Sequence, residues 1–359
     1  MKFFANIYRD KRVLITGHTG FKGSWLALWL NELGAEVTGI ALPPETQPNH
    51  WDLLALPTNE HRLDIRDHEA LKRAFLATQP EIVFHLAAQP LVRRSYRDPL
   101  ETWSTNVMGT ANVFEVCRQT PSVRAIVAIT TDKCYENREW PWGYRETDRL
   151  GGHDPYSASK AGSELVAASY RSAFFNTENT PLLATARAGN VIGGGDWSED
   201  RLIPDLVRAV AQNQSLEIRS PLATRPWQHV LESLSGYLLL GQRLLQGDKD
   251  HAGGWNFGPE PEGNRTVSEV LGKLNAHWAN MRWHVTDKPQ PHEAKLLYLD
   301  SAKARSKLHW QPVWNFDAAL VKTAEWYRAC LEAETVISRQ QLADYITAAA
   351  HAHIEWATP

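Results

Sequence analysis

Residues 11–23 read KRVLITGHTGFKG. The apolar run in residues 11–16 predicts a short buried strand, residues 24–33 predict a helix, and residues 37–42 predict a second strand. This order of strand, glycine loop, helix and strand has the length of a mononucleotide-binding half, so it indicates the fold class. A plain glycine turn is the alternative interpretation, which the strand before the loop and the helix after it disfavour.

The three glycines of this loop suit it to a dinucleotide. Gly17 allows the tight turn, Gly20 lets the backbone approach a pyrophosphate, and Gly23 lets the helix pack closely on the sheet. The free N–H groups at the helix N-terminus then face phosphate. The predicted cofactor contacts in the loop are Gly17, His18, Gly20, Phe21, Lys22 and Gly23.

Strands and helices continue to alternate up to residue 189. Continuous apolar runs that alternate with helices indicate a parallel sheet covered on both faces. The sequence therefore predicts an α/β fold, a Rossmann-like doubly wound parallel sheet. The further predicted strands are residues 63–65, 82–86, 125–130 and 182–188, and the further predicted helices are residues 69–76, 103–117 and 156–174.

The alternation breaks after residue 190, where a Gly-Gly-Gly-Asp-Trp loop at residues 193–197 and segments rich in proline and arginine follow. Residues 267–276 and 340–353 still predict helices. We expect a smaller substrate-binding region here that is partly interleaved with the first domain. The predicted units are a dinucleotide-binding domain at residues 1–189 with a returning segment near residues 230–258, a substrate-binding region at residues 190–325 and a C-terminal helical tail at residues 326–359.

Composition excludes several classes of function. The net charge of −3 and a sequence pI near 6.5 lack the clustered basic charge that nucleic-acid binding requires. The longest apolar patch, residues 237–240, is too short to span a bilayer, and residues 1–12 do not resemble a signal peptide. Cys117, Cys134 and Cys330 have no CxxC spacing, which fits a reducing cytoplasm better than a disulfide framework or a zinc site. We expect a cytoplasmic protein with no metal, no membrane and no nucleic-acid partner.

A tyrosine stands four residues before a lysine in the stretch DPYSASK at residues 154–160. Tyr156 and Lys160 share one face of the predicted helix, where the ammonium favours the phenolate. A phenol with an unperturbed pKa of about 10 is a poor base at neutral pH, so it needs such a neighbour. Placed beside a nicotinamide, it takes the proton of an alcohol while the ring takes the hydride. A solvated helix face is the alternative.

Four polar residues stand where the predicted strand 125–130 ends, in the sequence Thr130-Thr131-Asp132-Lys133. A parallel strand delivers such residues into the crevice at the carboxyl edge of the sheet. Thr131 can then hydrogen-bond the reacting oxygen, Asp132 can act as an acid, and Lys133 can act as a base if its pKa is depressed. A polar turn with a surface Asp–Lys pair is the alternative.

The choice between NAD and NADP stays open. The second strand ends in Ile-Ala-Leu-Pro-Pro at residues 40–44, with no acid before Glu45 and no arginine placed for a 2′-phosphate. Asp64, at the end of the predicted third strand, can accept a hydrogen bond from the adenine amino group. A turn-forming aspartate is an equal alternative.

Several segments resemble the extended short-chain dehydrogenase/reductase superfamily. The glycine loop, the stretch HLAAQ at residues 85–89, Asn106 and the YxxxK motif carry this resemblance. The Thr-Asp pair at residues 131–132 is similar to that of the nucleotide-sugar 4,6-dehydratases. Most of these have glutamate next, where this sequence has Lys133.

This lysine occurs together with RAGNVIGGGDW at residues 187–197 and RPWQHV at residues 225–230. The combination resembles the dehydratases that act on CDP-glucose, over nearly the whole chain. The preference for CDP over dTDP or UDP rests on this likeness alone. The resemblance also implies deoxysugar supply for bacterial lipopolysaccharide O-antigen, and a homodimer or homotetramer that pairs through the helices at residues 103–117 and 156–174.

The resemblance implies a mechanism with bound NAD. Tyr156, supported by Lys160 and Thr131, removes the proton of the sugar 4-hydroxyl, and the hydride of C4 passes to NAD. Lys133 is the candidate base for the C5 proton, Asp132 protonates the departing 6-hydroxyl, and the hydride returns to C6. If Lys133 stays protonated, it acts electrostatically instead and another base is needed.

The resemblance also implies further contacts. Arginine forks suit diphosphate oxygens, although ion pairs within the protein are the alternative for each of them. The implied cofactor contacts are Asp64, Ile65, Leu86, Ala87, Ala88, Asn106, Thr130, Tyr156 and Lys160, and the implied substrate contacts are Gln89, Arg93, Asn190, Arg201, Arg219 and Arg225.

Three other functions remain open. A sugar 4-epimerase of the same superfamily shares the loop and the YxxxK motif but does not need the Asp132–Lys133 pair. A dehydratase that acts on a dTDP- or GDP-sugar shares all of these features. A dinucleotide-binding redox sensor without catalysis belongs to a different class, and the residues at 131–133 argue against it.

Overall fold

The computed structural model describes residues 3–278, 281–286 and 296–358. Within these residues, seven parallel strands form the main sheet in the order β3-β2-β1-β4-β5-β6-β11. The predicted α/β, Rossmann-like doubly wound sheet is thereby confirmed. The strands of the main sheet are β1 (Arg12–Thr16), β2 (Glu36–Ala41), β3 (Asn59–Arg62), β4 (Ile82–His85), β5 (Ala125–Ile129), β6 (Leu182–Ala188) and β11 (Gly254–Phe257).

Helices cover both faces of the sheet because alternate residues of each strand point to opposite sides. Val13 and Ile15 of β1 join one apolar core, whereas Leu14 joins the other. The helices are α1 (Phe21–Glu32), α2 (His50–Leu54), α3 (His68–Thr78), α4 (Val92–Arg97), α5 (Pro99–Trp103), α6 (Gly109–Gln119), α7 (Pro155–Ala173), α8 (Leu202–Ala211), α9 (Val230–Leu245), α10 (Val267–His277), α11 (Ala302–Lys307), α12 (Phe316–Ala333) and α13 (Ser338–His351).

The direction of the strand order changes between β1 and β4, which lie side by side in the sheet. Thr16 pairs with His85 at the carboxyl ends of these two strands. In doubly wound sheets, ligands bind in the crevice outside the carboxyl ends at this switch point. The chain therefore builds its main crevice where the glycine loop leaves β1.

The predicted third strand, residues 63–65, was wrong. The strand lies immediately before it, at Asn59–Arg62, and pairs in parallel with β2 from Thr38–Asn59 to Ala41–Arg62. Its sequence, NEHR, is polar and mostly exposed because the strand is at the edge of the sheet with one strand neighbour. A search for apolar runs does not detect such an edge strand.

The single helix predicted at residues 103–117 is interrupted. A π-helical turn at Ser104–Met108 separates α5 from α6. Single π-turns inside helices are frequent at functional sites. This one places Asn106, a buried residue, beside the loop that follows β4.

Residues beyond 190 contribute to the main sheet as well as to a second region. β11 pairs with β6, and α9 packs on β5 and β6. The second region holds α8, α10 and short strand pairs, and the predicted division of the chain into three units stays a prediction. Among the residues that the structure describes, no helix is both long and apolar enough to cross a membrane. The short strands are β7 (Val191–Ile192), β8 (Leu216–Ile218), β9 (Thr224–Pro226), β10 (Gln228–His229), β12 (Asn264–Thr266) and β13 (Trp283–Val285).

Candidate active site

A crevice of ≈ 1220 Å³ lies at the carboxyl ends of the central strands. The glycine loop, the segments after β4 and β5, the start of α7 and the residues around α8 line it. All five predicted catalytic residues and all six predicted substrate contacts are among its lining residues. Two motifs that are distant in the sequence thus meet in one cavity.

The glycine loop has no space for side chains at two of its three glycines. Gly17 has φ +78°, and a Cβ there would lie 2.7 Å from the Ala87 nitrogen. A Cβ on Gly23 would lie 2.1 Å from the Gly17 carbonyl oxygen. Helix α1 begins at Phe21 without a side-chain cap, so its first N–H groups remain for a ligand. The loop therefore fits the pyrophosphate of a dinucleotide.

His18 differs from its neighbours in the loop. Its ring is buried beneath the loop, with Nε2 3.0 Å from the Glu60 carboxylate and the ring edge-on to Trp51. Burial lowers the pKa of His18, although Glu60 opposes this shift. The side chain supports the loop from below, and the predicted cofactor contact of His18 stays a prediction.

Lys22 points toward the catalytic residues. Its Nζ donates to the Tyr237 hydroxyl at 3.4 Å. Burial and the nearby Arg201 lower the pKa of Lys22 to about 7, and Asp132 opposes them. Lys22 thus brings a titratable amine to the centre of the crevice, beyond its predicted role in the loop.

Asp64 and Ile65 line the crevice. The Asp64 carboxylate accepts from the Arg66 backbone nitrogen at 2.8 Å and from the Arg66 Nε at 2.9 Å. This is the turn-forming arrangement, while the adenine contact stays a prediction. Arg62 lies at the end of β3, opposite Ala41. The sequence analysis did not consider this arginine, because it placed the third strand at residues 63–65.

Leu86, Ala87 and Ala88 line the crevice after β4, and His85 anchors them. Thr16 Oγ1 lies 2.7 Å from His85 Nδ1 and accepts from the Ala87 nitrogen at 3.2 Å. Burial lowers the pKa of His85 to about 3, so its ring is neutral. No local sequence pattern indicates that His85 has this supporting role.

The side chains of three predicted contact residues, Asn106, Gln89 and Thr130, make hydrogen bonds within the wall of the crevice. Asn106 donates to the Gln89 carbonyl at 3.1 Å and to Ser159 Oγ at 2.9 Å, and accepts from the Gln89 nitrogen at 2.8 Å. The Gln89 amide donates to Thr102 Oγ1 at 2.9 Å, and Thr130 donates to Glu164 at 2.5 Å. These buried groups have hydrogen-bond partners within the fold. Gln89 and Thr130 also line the crevice. The predicted contacts of Asn106, Gln89 and Thr130 with cofactor or substrate stay predictions.

Thr131 and Asp132 are buried at the end of β5. Thr131 Oγ1 donates to Asp132 Oδ1 at 2.9 Å and accepts from the Lys133 nitrogen at 3.3 Å. Asp132 Oδ2 is buried without a hydrogen-bond partner among the described residues. Burial raises the pKa of Asp132, and the charge of Lys133 is the main influence that opposes this rise. A carboxyl group that keeps its proton to higher pH suits a general acid.

Tyr156 and Lys160 lie on α7, the helix predicted to carry them, and both are buried. Burial raises the pKa of Tyr156 to about 12, and a hydrogen bond with Thr131 and the charge of Arg201 oppose this rise. Lys160 Nζ donates to the Ile129 carbonyl at 3.2 Å. Thr131 and Arg201 are the groups that favour the phenolate in this arrangement. The expected effect of Lys160 on the phenol pKa stays a prediction.

The arginines of the crevice are paired with two aspartates. Arg93 lies 2.8 Å and Arg219 3.8 Å from the Asp200 carboxylate, and Arg201 lies 3.0 Å from Asp196. Sequence reasoning left ion pairs within the protein open but did not single out either aspartate. Asn190 and Arg225 also line the crevice, where the Arg225 Nη1 donates to the Thr224 carbonyl at 2.9 Å.

Comparisons with known proteins agree with this geometry. The family model described as GDP-mannose 4,6 dehydratase matches residues 14–323. The chain is 48% identical to the CDP-glucose 4,6-dehydratase of Salmonella typhimurium, over 96% of this chain and 98% of that protein. The structure of the epimerase Mth375 from Methanothermobacter thermautotrophicus superposes with a TM-score of 0.81 at 25% identity, covering 93% of this chain and 96% of that one. DesIV, a dTDP-glucose 4,6-dehydratase from Streptomyces venezuelae with NAD and TYD bound, superposes with a TM-score of 0.75 at 25% identity, covering 88% and 96%.

Proposed function

This chain belongs to the GDP-mannose 4,6 dehydratase family, and from that premise we propose that it converts CDP-glucose into CDP-4-keto-6-deoxyglucose and water. One observation carries the proposal: Asp132 and Lys133 lie in the same crevice as Tyr156, next to a glycine loop that fits a dinucleotide. Elimination of the 6-hydroxyl requires an acid and a base, and Asp132 and Lys133 are the candidates for them beside the YxxxK pair. The likeness to a CDP-glucose 4,6-dehydratase supports the choice of substrate.

NAD is the cofactor of this proposal, and DesIV was solved with NAD bound. When bound, it supplies the acceptor that takes the C4 hydride and returns it to C6. The chain would hold its pyrophosphate with the glycine loop and its adenosine end near Asp64 and Ile65. Ala87 and Ala88 would form the wall beside the ribose.

Tyr156 removes the proton of the sugar 4-hydroxyl. Its phenolate is disfavoured by burial, which raises the pKa to about 12, so the reaction depends on groups that stabilise the anion. Thr131 and Arg201 do so in this structure. Lys160, one helical turn further along α7, adds a buried cation near the phenol.

The elimination uses the end of β5. With a ketone at C4, the C5 proton becomes acidic, and Lys133 takes it when its amine is neutral. The C6–O bond then breaks, and Asp132 gives its proton to the departing oxygen, which leaves as water. After the hydride has reached C6, Lys133 returns the proton to C5. The proton that Tyr156 took from the 4-hydroxyl replaces the one that Asp132 gave to the departing water, so atoms and charges balance.

The substrate arginines determine how the diphosphate is held. Arg93, Arg201 and Arg219 already face Asp196 and Asp200 across the mouth of the crevice. Because a guanidinium binds carboxylate and diphosphate oxygens in the same way, these carboxylates hold the arginines in place for the nucleotide. Asn190 and Arg225 complete the proposed substrate contacts.

Kinetics with CDP-, dTDP-, UDP- and GDP-linked glucose, read out by formation of the 4-keto product, test this function. We expect turnover to be fastest with CDP-glucose. A 4-epimerase would form no 6-deoxy product and would take up no solvent deuterium at C5. A redox sensor would turn over none of the four nucleotide sugars.

We also propose a homodimer that forms through α5, the π-helical turn and α7. Leu100, Trp103, Met108 and Leu165 are exposed large apolar side chains on these elements. The Trp103 ring lies next to Gly162 of α7. Leu165 follows Gly162 by one helical turn, so Trp103 and Leu165 lie on the same surface. Such a patch is typical of a protein interface. We further propose a cytoplasmic location, which the three free thiols fit. The proposed role is to supply deoxysugar for surface polysaccharide.

A further inference from the structure

A buried carboxylate lies behind the catalytic residues, and the proposed mechanism does not use it. Glu164 of α7 has 1% of its surface exposed. Its carboxylate accepts four hydrogen bonds: from Thr130 Oγ1 at 2.5 Å, from Thr185 Oγ1 at 2.8 Å, and from the Arg187 Nε and Nη2 at 2.9 and 2.7 Å. A buried ion pair with every acceptor satisfied has a defined geometry, although it contributes little net stability.

One donor belongs to the strand end that carries the catalytic turn, and the others belong to the neighbouring strand β6. Thr130 directly precedes Thr131 at the end of β5, and Arg187 lies on β6. Glu164 itself lies one helical turn after Lys160 on α7. A single carboxylate therefore connects the helix that carries Tyr156 to the strand end that carries the acid and the candidate base.

Arg187 extends this connection to the far side of the catalytic turn. Its Nη1 donates to the Tyr135 hydroxyl at 2.7 Å, and Tyr135 donates to the Asn256 side chain on β11 at 2.7 Å. Tyr135 directly follows the 3-10 turn Asp132–Cys134. The turn that holds Asp132 and Lys133 is thus fixed at both ends by the Glu164–Arg187 pair.

We propose that Glu164 is a positioning residue for the dehydratase reaction, which holds the Tyr156–Lys160 helix in register with the Thr131–Lys133 turn and compensates the charge of Lys160. The inference rests on the proposed function for its activity readout. Glu164 touches neither substrate nor cofactor, so it acts through the residues that do. Nothing in the YxxxK motif itself requires an acid at this position.

The electrostatic part of the proposal concerns Lys160. Burial lowers the pKa of Lys160 to about 8, and Glu164 is the main group that opposes this shift. Removal of the Glu164 charge lowers the pKa of Lys160 further, so Lys160 loses its proton at a lower pH. The titratable groups that face Lys160 are Glu164 on its own helix, Cys134 after β5, His85 at the end of β4 and Lys22 on α1.

The test compares two buried glutamates in the holoenzyme. Glu164→Gln keeps the shape and removes the charge. Glu232→Gln is the matched control, since Glu232 also has 1% exposure and accepts hydrogen bonds from the Val313 and Trp314 nitrogens and from Tyr345. Glu232 is not among the residues that line the crevice. Both variants lower the melting temperature. Only Glu164→Gln is expected to lower kcat by about 100-fold, with KM little changed, because misplacement of catalytic groups affects the chemical step.

The pH profile and a direct titration separate positioning from mere stability. The alkaline limb of kcat shifts to lower pH in Glu164→Gln and stays in place in Glu232→Gln. Titration of selectively labelled lysine by NMR, with Lys160 assigned by Lys160→Arg, is expected to show the same shift without any turnover. Equal kcat in the two variants, or an unchanged Lys160 titration, overturns the proposal.

A double variant covers the case in which Glu164→Gln does not fold. Glu164→Leu with Arg187→Met removes both charges, a change that is often neutral or stabilising for buried pairs. We expect a folded protein with strongly reduced kcat, whereas wild-type kcat in this variant overturns the positioning role. If the wild-type enzyme forms no product from CDP-glucose, the proposed function is refuted instead. The lysine titration still tests the role of Glu164 in that case, because it does not depend on turnover.

Discussion

At the scale of single residues, burial raises the pKa of both Asp132, the proposed acid, and Tyr156, the proposed base for the 4-hydroxyl. The same shift helps the acid and hinders the base. The raised pKa of Asp132 favours the protonated acid that the elimination needs. The pKa of Tyr156 rises to about 12, which disfavours the phenolate. Thr131 lies within hydrogen-bonding reach of both groups. This one hydroxyl therefore links the group that takes the 4-hydroxyl proton to the group that protonates the departing oxygen.

Lys133→Met tests the candidate C5 base at this scale. The variant is expected to bind NAD normally and to oxidise C4, because Tyr156 and Lys160 are unchanged. Loss of water should fall by about 100-fold or more, since a general base contributes roughly this much. Solvent deuterium incorporation at C5 and release of the 6-deoxy product measure the step.

The outcome also separates the two alternatives for Lys133. Loss of both deuterium exchange and product identifies the base, whereas retained exchange with lost product indicates an electrostatic role. Unchanged product formation contradicts both.

At the scale of elements, the start of α7 places the YxxxK pair. Asp154 caps the helix by accepting from the Ser157 nitrogen at 2.9 Å, and Pro155 occupies the first helical position. Both residues are typical of helix N-termini. Because the cap fixes where the helix begins, Tyr156 and Lys160 lie in its first turns at the mouth of the crevice.

Gly23→Ala tests the glycine loop as an element. The new Cβ would meet the Gly17 carbonyl oxygen at 2.1 Å and the His18 Cα at 2.8 Å, both backbone atoms. We expect the shifted loop to weaken NAD binding by about 1–3 kcal/mol, the usual cost of overpacking. Calorimetric titration with NAD measures the loss.

Gly272→Ala is the matched control on α10, where a new Cβ meets nothing within 4 Å. It should stabilise the protein by about 0.5–1 kcal/mol, because alanine is the better helix former. NAD affinity should be unaltered. Wild-type NAD affinity in Gly23→Ala argues against close approach of the cofactor to this loop.

At the scale of the whole molecule, the C-terminal helices complete the core instead of extending from it. Tyr345 of α13 is fully buried and donates to Glu232 of α9 at 2.8 Å. Ser338 Oγ lies 2.8 Å from Nε2 of His50, the first residue of α2. The segment predicted as a helical tail thus holds buried partners of residues much earlier in the chain.

Glu232 makes the stability of the whole fold dependent on pH. Burial raises the pKa of Glu232 to about 7, above its value in the unfolded chain. The folded state therefore holds this proton more tightly, so the stability that it contributes is present at low pH and is lost as pH rises through about 7. The expected loss is about 3 kcal/mol.

Urea unfolding of wild-type protein and Glu232→Gln between acid and neutral pH measures this effect. The wild-type protein should lose stability relative to the variant as pH rises, because the glutamine cannot ionise. A difference that stays constant with pH contradicts the assignment. Other titrating groups cancel in this comparison, since both proteins share them.

The proposed dimer is tested by Leu165→Glu, which places a charge in the exposed apolar surface of α7, where Leu165 is 60% exposed. We expect sedimentation as a monomer, because the interface would bury an unpaired charge. Leu76→Glu on α3, where Leu76 is 55% exposed, should leave the dimer intact. Identical sedimentation of both variants and wild type would place the interface elsewhere.

The apolar strands could be predicted to within a residue or two. The strand predicted at residues 182–188 has those bounds in the structure, and the strand predicted at residues 125–130 is Ala125–Ile129. Both are buried on both faces and appear as continuous apolar runs. The edge strand Asn59–Arg62 has no such signal, because half-exposed polar residues form it through backbone pairing alone.

The chain by itself determined the family, the position of the glycine loop and the set of groups at the ends of β5 and α7, because spacing along one strand or helix fixes which residues lie together. Tertiary structure alone decided where the side chains of His18, Asn106 and Gln89 point. It also decided that Glu164 meets Arg187. Hydrogen bonding and burial between distant segments depend on packing, which no local pattern encodes.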